Sequence, residues 1–218
     1  MNPLYILVFV VSRLMYKFLF RWRVHNPENV PATGAAILAS NHASYLDPPL
    51  VGAGLTRAIN YLGRESLFRF PVIGWGMRMV HAVPVDRDGG SASGLKVILE
   101  RLLAGGAILL FPEGTRTSEG RLQSARSGIG LTVIKSNAPV IPVRLFGTFE
   151  AYGRQQILPR IFRRVQVKYG PPIDFTDLRQ EAARCSKPRL KQIYQEVADR
   201  IMLEIGRLEP HTDKATFP

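Results

Sequence analysis

The stretch Ala35-Ala36-Ile37-Leu38-Ala39-Ser40-Asn41-His42-Ala43-Ser44-Tyr45-Leu46-Asp47-Pro48 carries an apolar run directly into a polar loop and out into a proline. Ala35 to Ala39 is short, unbroken and apolar, as expected of a strand covered on both faces. Pro48 suits the first position of a helix, which makes Asp47 the expected N-cap and leaves His42 in the loop before it. On one helix, five residues of separation would put the two side chains about 140° apart, so His42 and Asp47 meet only if a turn intervenes. A base and a carboxylate at the carboxyl end of a strand lie where open α/β sheets bind their ligands. Histidine titrates near neutrality and can take a proton from an attacking hydroxyl, and an adjacent aspartate can orient it and stabilise its cation.

The same alternation extends outward. Further strands are expected at Ile59 to Leu62, Ala82 to Val85, Ala107 to Phe111, Val140 to Phe146 and Val165 to Tyr169. Helices are expected at Pro48 to Gly54, Ile73 to Val80, Ala92 to Ala104, Gly128 to Ser136 and Pro188 to Leu208. Short apolar runs alternating with longer helical segments predict an α/β fold, a single domain with a mixed β-sheet flanked by helices. A chain of 218 residues buries one substantial core without needing a second domain, and no internal repeat or linker divides it. The expected organisation is residues 1–26 as an apolar membrane-associating helix, 27–210 as the catalytic domain and 211–218 as a loose tail.

In the first of these segments, Pro3 to Val11 is almost continuously apolar, and Arg13, Lys17 and Arg21 then recur every four residues. On a helix those cations form one stripe beside an apolar, aromatic circumference. Such a helix suits a lipid interface, where basic side chains snorkel to phosphates and Tyr16 and Trp22 sit at the boundary. A full membrane span is disfavoured by Arg13 near its middle, and a secretory signal by the placing of the basic residues after the apolar run. The formal net charge of +12 points to an anionic partner, whether nucleic acid, bilayer or phosphorylated substrate. Cys185 is the single cysteine, which excludes an internal disulfide framework and a cysteine-based zinc cluster.

Two more strand ends gather charged residues. Ala107 to Phe111 runs into Pro112-Glu113-Gly114-Thr115-Arg116, and Ala82-Val83-Pro84-Val85 runs into Asp86-Arg87. Arginine's planar fork binds phosphate oxygens in pairs, so Arg87 and Arg116 suit a phosphorylated ligand. No G-x-S-x-G elbow, dinucleotide fingerprint or Walker lysine is present. The basic clusters Arg21-Trp22-Arg23 and Arg160-Ile161-Phe162-Arg163-Arg164 fit a non-enzymatic binding module or a membrane-facing surface.

Taken in order, these segments resemble the glycerolipid acyltransferase family that forms phosphatidic acid. Asn41-His42-x-Ser44-x-x-Asp47 matches its first motif, Arg87 its second, Phe111-Pro112-Glu113-Gly114-Thr115-Arg116 its third and Val140-Ile141-Pro142-Val143 its fourth. The resemblance implies an enzyme moving a fatty acyl group from acyl-CoA or acyl-carrier-protein, as co-substrate and with no cofactor or metal, to the free hydroxyl of 1-acylglycerol-3-phosphate, with a different lysolipid or a glycerol-phosphate as the alternative acceptor. His42 is the implied general base and Asp47 its partner, with no acyl-enzyme. Arg87 and Arg116 are the implied phosphate site, and Glu113, Gly114, Thr115 and Arg126 are the other implied substrate-binding residues. The Gly114 N–H is a candidate oxyanion donor. Arg126 replaces the family's lysine, and Ser66 stands where relatives carry an acid. The expected partners are a lysophospholipid, an acyl thioester and an anionic membrane at the cytoplasmic face, with acyl carrier protein as an alternative donor and no nucleic acid.

Overall fold

The computed structural model describes residues 3–85 and 91–211. Helix α1 (Pro3–Leu19) leads into strand β1 (Arg21–His25), a single 3₁₀ turn and β2 (Ala36–Ser40). There follow α2 (Asp47–Ala53), β3 (Ile59–Arg64), α3 (Glu65–Phe68), α4 (Pro71–Met79), β4 (Ala82–Val85), α5 (Ser91–Leu103) and β5 (Ala107–Leu110). The chain continues through α6 (Gly128–Ser136), β6 (Val140–Phe146), α7 (Thr148–Tyr152), β7 (Arg164–Tyr169), α8 (Thr176–Ala182) and α9 (Lys187–Arg207). The strands form a seven-stranded sheet in the order β1-β7-β6-β2-β5-β3-β4. Every neighbouring pair is parallel except β6 and β7, so the sheet is mixed as expected.

Side-chain alternation along the central strands divides the core between two faces. Leu38 and Leu109 join Tyr16, Leu50, Val51 and Val143 on the face covered by α1 and α2. Ile37 and Ile108 join Ile98, Ile129, Val133, Ile193 and Ile201 on the face covered by α5, α6 and α9. From β2 the chain passes toward β3, and from β5 it returns across the sheet to β6. These opposite directions open a crevice at the carboxyl ends of β2 and β5.

Four expectations need correction. Residues 21–25, expected to extend the first helix, form an edge strand on β7, with Trp22 opposite Val165. Trp22 and Val24 pack on the core while the charged neighbours lie outward, a pattern that suits a sheet edge. The basic stripe is therefore broken, and its first member turns inward: Arg13 Nε donates to Ala53 O at 2.8 Å and Nη2 to Leu55 O at 3.5 Å. Tyr16, expected at a lipid boundary, is fully buried and donates to Leu46 O at 2.7 Å. Among the described residues no helix is long and apolar enough to cross a membrane. Finally, His211, expected in a loose tail, donates its N–H to Gln166 Oε1 at 3.2 Å, and its ring lies 4.8 Å from that of His25, tilted by 33°.

Candidate active site

The loop after β2 is fixed before any catalytic group is placed. Asn41 clasps β6, donating Nδ2 to Leu145 O at 3.2 Å and accepting the Leu145 N–H at 2.8 Å. Ser44 Oγ donates to Tyr152 O at 2.7 Å and accepts the Leu46 N–H at 3.0 Å. The loop after β5 is strapped alongside, with Thr117 N–H bonded to His42 O at 2.9 Å.

Within this frame His42 Nδ1 lies 2.9 Å from Asp47 Oδ2. The same carboxylate oxygen accepts the N–H groups of Ala43 at 2.6 Å and Ser44 at 2.7 Å. Asp47 is therefore the first residue of α2 and not its N-cap, a position taken by Leu46. Its side chain reaches back into the loop, so the turn needed to bring acid and base together is organised by the acid itself. Asp47 is fully buried, and its negative charge at the start of α2 is favoured by the helix dipole. The His42 ring stacks on Phe111, centroids 3.8 Å apart and planes 13° from parallel. The imidazole is thus held at one edge by Asp47 and over one face by Phe111. With Nδ1–H donated to a carboxylate, Nε2 is the basic nitrogen.

His42 stands where two clefts meet. One, of about 370 Å³, has apolar walls from Leu95, Ile98, Leu110, Ile129 and Leu131, with Gly114 and Arg126 also lining it. The other, of about 560 Å³, is bounded by Tyr5, Val8 and Phe9 of α1 and carries Thr115, Arg116, Arg154 and Arg64. Arg116 lies over the Tyr45 ring, its Cζ 3.5 Å from the centroid, and its buried Nη1 has no hydrogen-bond partner among the described residues. Arg126 and Arg116 thus serve different clefts. Arg87 lies outside the described residues.

Two predicted roles change. Glu113, expected to contact substrate, is buried and lines neither cleft. Gln123 Nε2 donates to it at 3.3 Å, and backbone N–H groups of His42 and Gln123 face it. It organises the two loops from beneath. The Gly114 N–H is engaged with Phe111 O at 3.0 Å, which removes it as an oxyanion donor. Gly114 itself is required by the turn: its φ is +73°, and a Cβ there would come within 2.9 Å of the Arg126 side chain. Sequence reasoning missed Arg154 and Phe111. Arg154 stands beyond the recognised motifs, and the Ser44–Gly153 bridge that carries it to the cleft pairs residues far apart in sequence. Phe111 was visible as the residue before Pro112, but its contact with His42 depends on the pairing of β2 with β5.

Burial raises the Glu113 carboxyl from 4.5 to about 7. Between those values the folded protein holds a proton that the unfolded chain releases. This group's stabilising contribution is therefore complete at low pH and lost as pH rises through about 7. Glu113→Gln is expected to flatten that dependence, gaining on the order of 2 kcal/mol relative to the parent between acid and mildly alkaline pH. Urea midpoints across that range measure it, and parallel curves for the two proteins would refute it.

The fold thus sets a histidine–aspartate pair between an apolar slot and an arginine-lined cleft. The acyltransferase family model matches residues 21–145, from β1 to β6, and the chain belongs to that family. It is 30% identical over 182 residues to the 1-acyl-sn-glycerol-3-phosphate acyltransferase of Bacillus subtilis, covering 82% of this chain and 85% of that protein. The chloroplastic 1-acyl-sn-glycerol-3-phosphate acyltransferase LPAT1 of Arabidopsis thaliana is 33% identical over 137 residues, 62% of this chain. The chain spans about two fifths of the length of such chloroplast relatives, 38% and 39% for the two plant proteins. The fold is that of the crystal structure of the 1-acyl-sn-glycerophosphate acyltransferase PlsC of Thermotoga maritima. The TM-score is 0.70 at 24% identity, over 95% of this chain and 81% of that one.

Proposed function

We propose that this protein transfers a fatty acyl group from an acyl-CoA or acyl-carrier-protein thioester to the free hydroxyl of 1-acylglycerol-3-phosphate, forming phosphatidic acid. The observation that carries the reading is the position of the Asp47-bound imidazole at the junction of the two clefts. An acceptor hydroxyl approaching from one side gives its proton to His42 Nε2 as its oxygen attacks the thioester carbonyl presented from the other. The tetrahedral intermediate collapses, the C–S bond breaks, and the departing thiolate takes the proton from the imidazolium. Asp47 stabilises that cation throughout. The chemistry proceeds within a ternary complex and leaves no acyl group on the protein.

Arg116, with Arg154 at the same cleft, is the natural contact for the acceptor phosphate, since an unpaired buried guanidinium nitrogen gains most from an anionic partner. The second, apolar cleft suits the acyl chain of the donor, with Arg126 at its lining. The apolar outer face of α1, where Leu7, Val11 and Phe18 are exposed, suits seating at the cytoplasmic surface of a bilayer that holds the acceptor.

The test is acyl transfer by purified protein in detergent, from labelled acyl donors to a panel of lysolipids. Formation of phosphatidic acid from lysophosphatidic acid supports the reading, and inactivity on every acceptor with every donor refutes it. In the same assay Arg116→Ala should raise the acceptor KM roughly ten- to a hundredfold while leaving the donor KM near its original value. The reverse split would place the phosphate site elsewhere.

A further inference from the structure

We propose that the connection from α7 to β7, residues 153–163, is a second bilayer-docking element beside α1, built to engage anionic phospholipids. The proposal rests on the acyltransferase reading above only for its link to activity, because the docking can be measured alone. Ile157 and Leu158 are 90% and 76% exposed, and Phe162 is 64% exposed. Large apolar side chains concentrated on one connection mark an interaction surface. This segment is also fixed in place. Arg160 N–H bonds Ala151 O at 2.7 Å, and Phe162 N–H bonds Leu19 O at 2.6 Å. Arg21 N–H bonds Arg163 O at 3.0 Å. The last two bonds set the connection against the end of α1, next to its exposed Phe18. Phe162 holds a φ of +62°, a conformation unfavourable for a bulky side chain and held here by the flanking bonds.

Charge selects the occupant. Arg160, Arg163 and Arg164 alternate in sequence with the apolar residues, and no carboxylate occurs from Gly153 to Arg164. Two copies of such a surface would repel each other, whereas a negatively charged bilayer accepts the apolar side chains and neutralises the arginines together.

The experiment uses the full-length chain in flotation assays, with vesicles of phosphatidylcholine alone or mixed with phosphatidylglycerol. The triple variant Ile157→Ser, Leu158→Ser, Phe162→Ser should reduce partition onto mixed vesicles at least tenfold. The pair Arg160→Gln, Arg163→Gln should erase the preference for mixed over neutral vesicles. Both variants should keep the parent's thermal unfolding midpoint and its kcat/KM on a short-chain, water-soluble lysophosphatidate. The triple variant should lose turnover of a vesicle-embedded acceptor. Unchanged vesicle partition in the triple variant would overturn the proposal, as would a shift from dimer to monomer in place of lost partition, which would assign the surface to a second copy. A parent inactive on the water-soluble acceptor would overturn the acyl-transfer reading, while partition that falls as stated would still support the docking.

Discussion

Replacing His42 with alanine is expected to lower kcat/KM for acyl transfer by roughly a thousandfold, within the range by which a positioned general base accelerates proton transfer. Among the described residues nothing else at the junction can substitute. Asp47 is fully buried and committed through Oδ2 to two backbone N–H groups, and Glu113 lines neither cleft. The fold should survive the change. The loop remains held by Asn41, Ser44 and the Thr117–His42 backbone bond, none of which uses the imidazole. Kinetics on the purified variant, with circular dichroism as the check on folding, decide the matter. Retention of more than about a tenth of the parent rate would remove His42 from the role of base.

Gly130→Ala is expected to destabilise the domain by about 3 kcal/mol, at the upper end of ordinary overpacking. Gly130 lies on α6 where that helix crosses α9, and a Cβ built there would fall 1.9 Å from Tyr194 O. The obstacle is helix backbone, which cannot rotate aside, so α9 would have to withdraw and loosen its contacts through Ile193 and Val197. For a chain of this size the loss corresponds to a fall in Tm of roughly 10 °C. Gly128, two residues earlier, has nothing within 4 Å of the point where a methyl group would stand and serves as the control, since Gly128→Ala should leave Tm nearly unchanged. Equal effects at the two positions would mean that helix propensity and not the crossing governs the outcome.

The central sheet was legible because its strands are buried on both faces. Runs such as Ala107 to Leu110 and Val140 to Phe146 are apolar almost throughout, and turn residues bound them closely. Edge strand β1 escaped because Arg21-Trp22-Arg23 carries the charges that an edge tolerates and that, beside an apolar segment, also read as the end of a helix. The pairing of His42 with Asp47 was readable from spacing and a proline. How they pair was not. The carboxylate's bonds to Ala43 and Ser44 invert the expected cap, and they follow from a loop tied at Leu145 and Tyr152, residues more than a hundred positions away. Arg13 shows the same limit. A four-residue repeat says which helix face a cation occupies, but whether that face meets solvent, lipid or the carbonyls of another helix is decided by packing.

Arg13 grips the carboxyl end of α2 at Ala53, while Tyr16 grips Leu46 just ahead of its amino end, where Asp47 begins the helix. The first helix is therefore a splint across the element that carries Asp47. In a shortened protein lacking it, Leu46 would lose a buried hydroxyl, α2 its terminal cation, and the larger cleft the wall formed by Val8 and Phe9. The shape of the larger cleft and the alignment of Asp47 with His42 are mechanically one property of this chain.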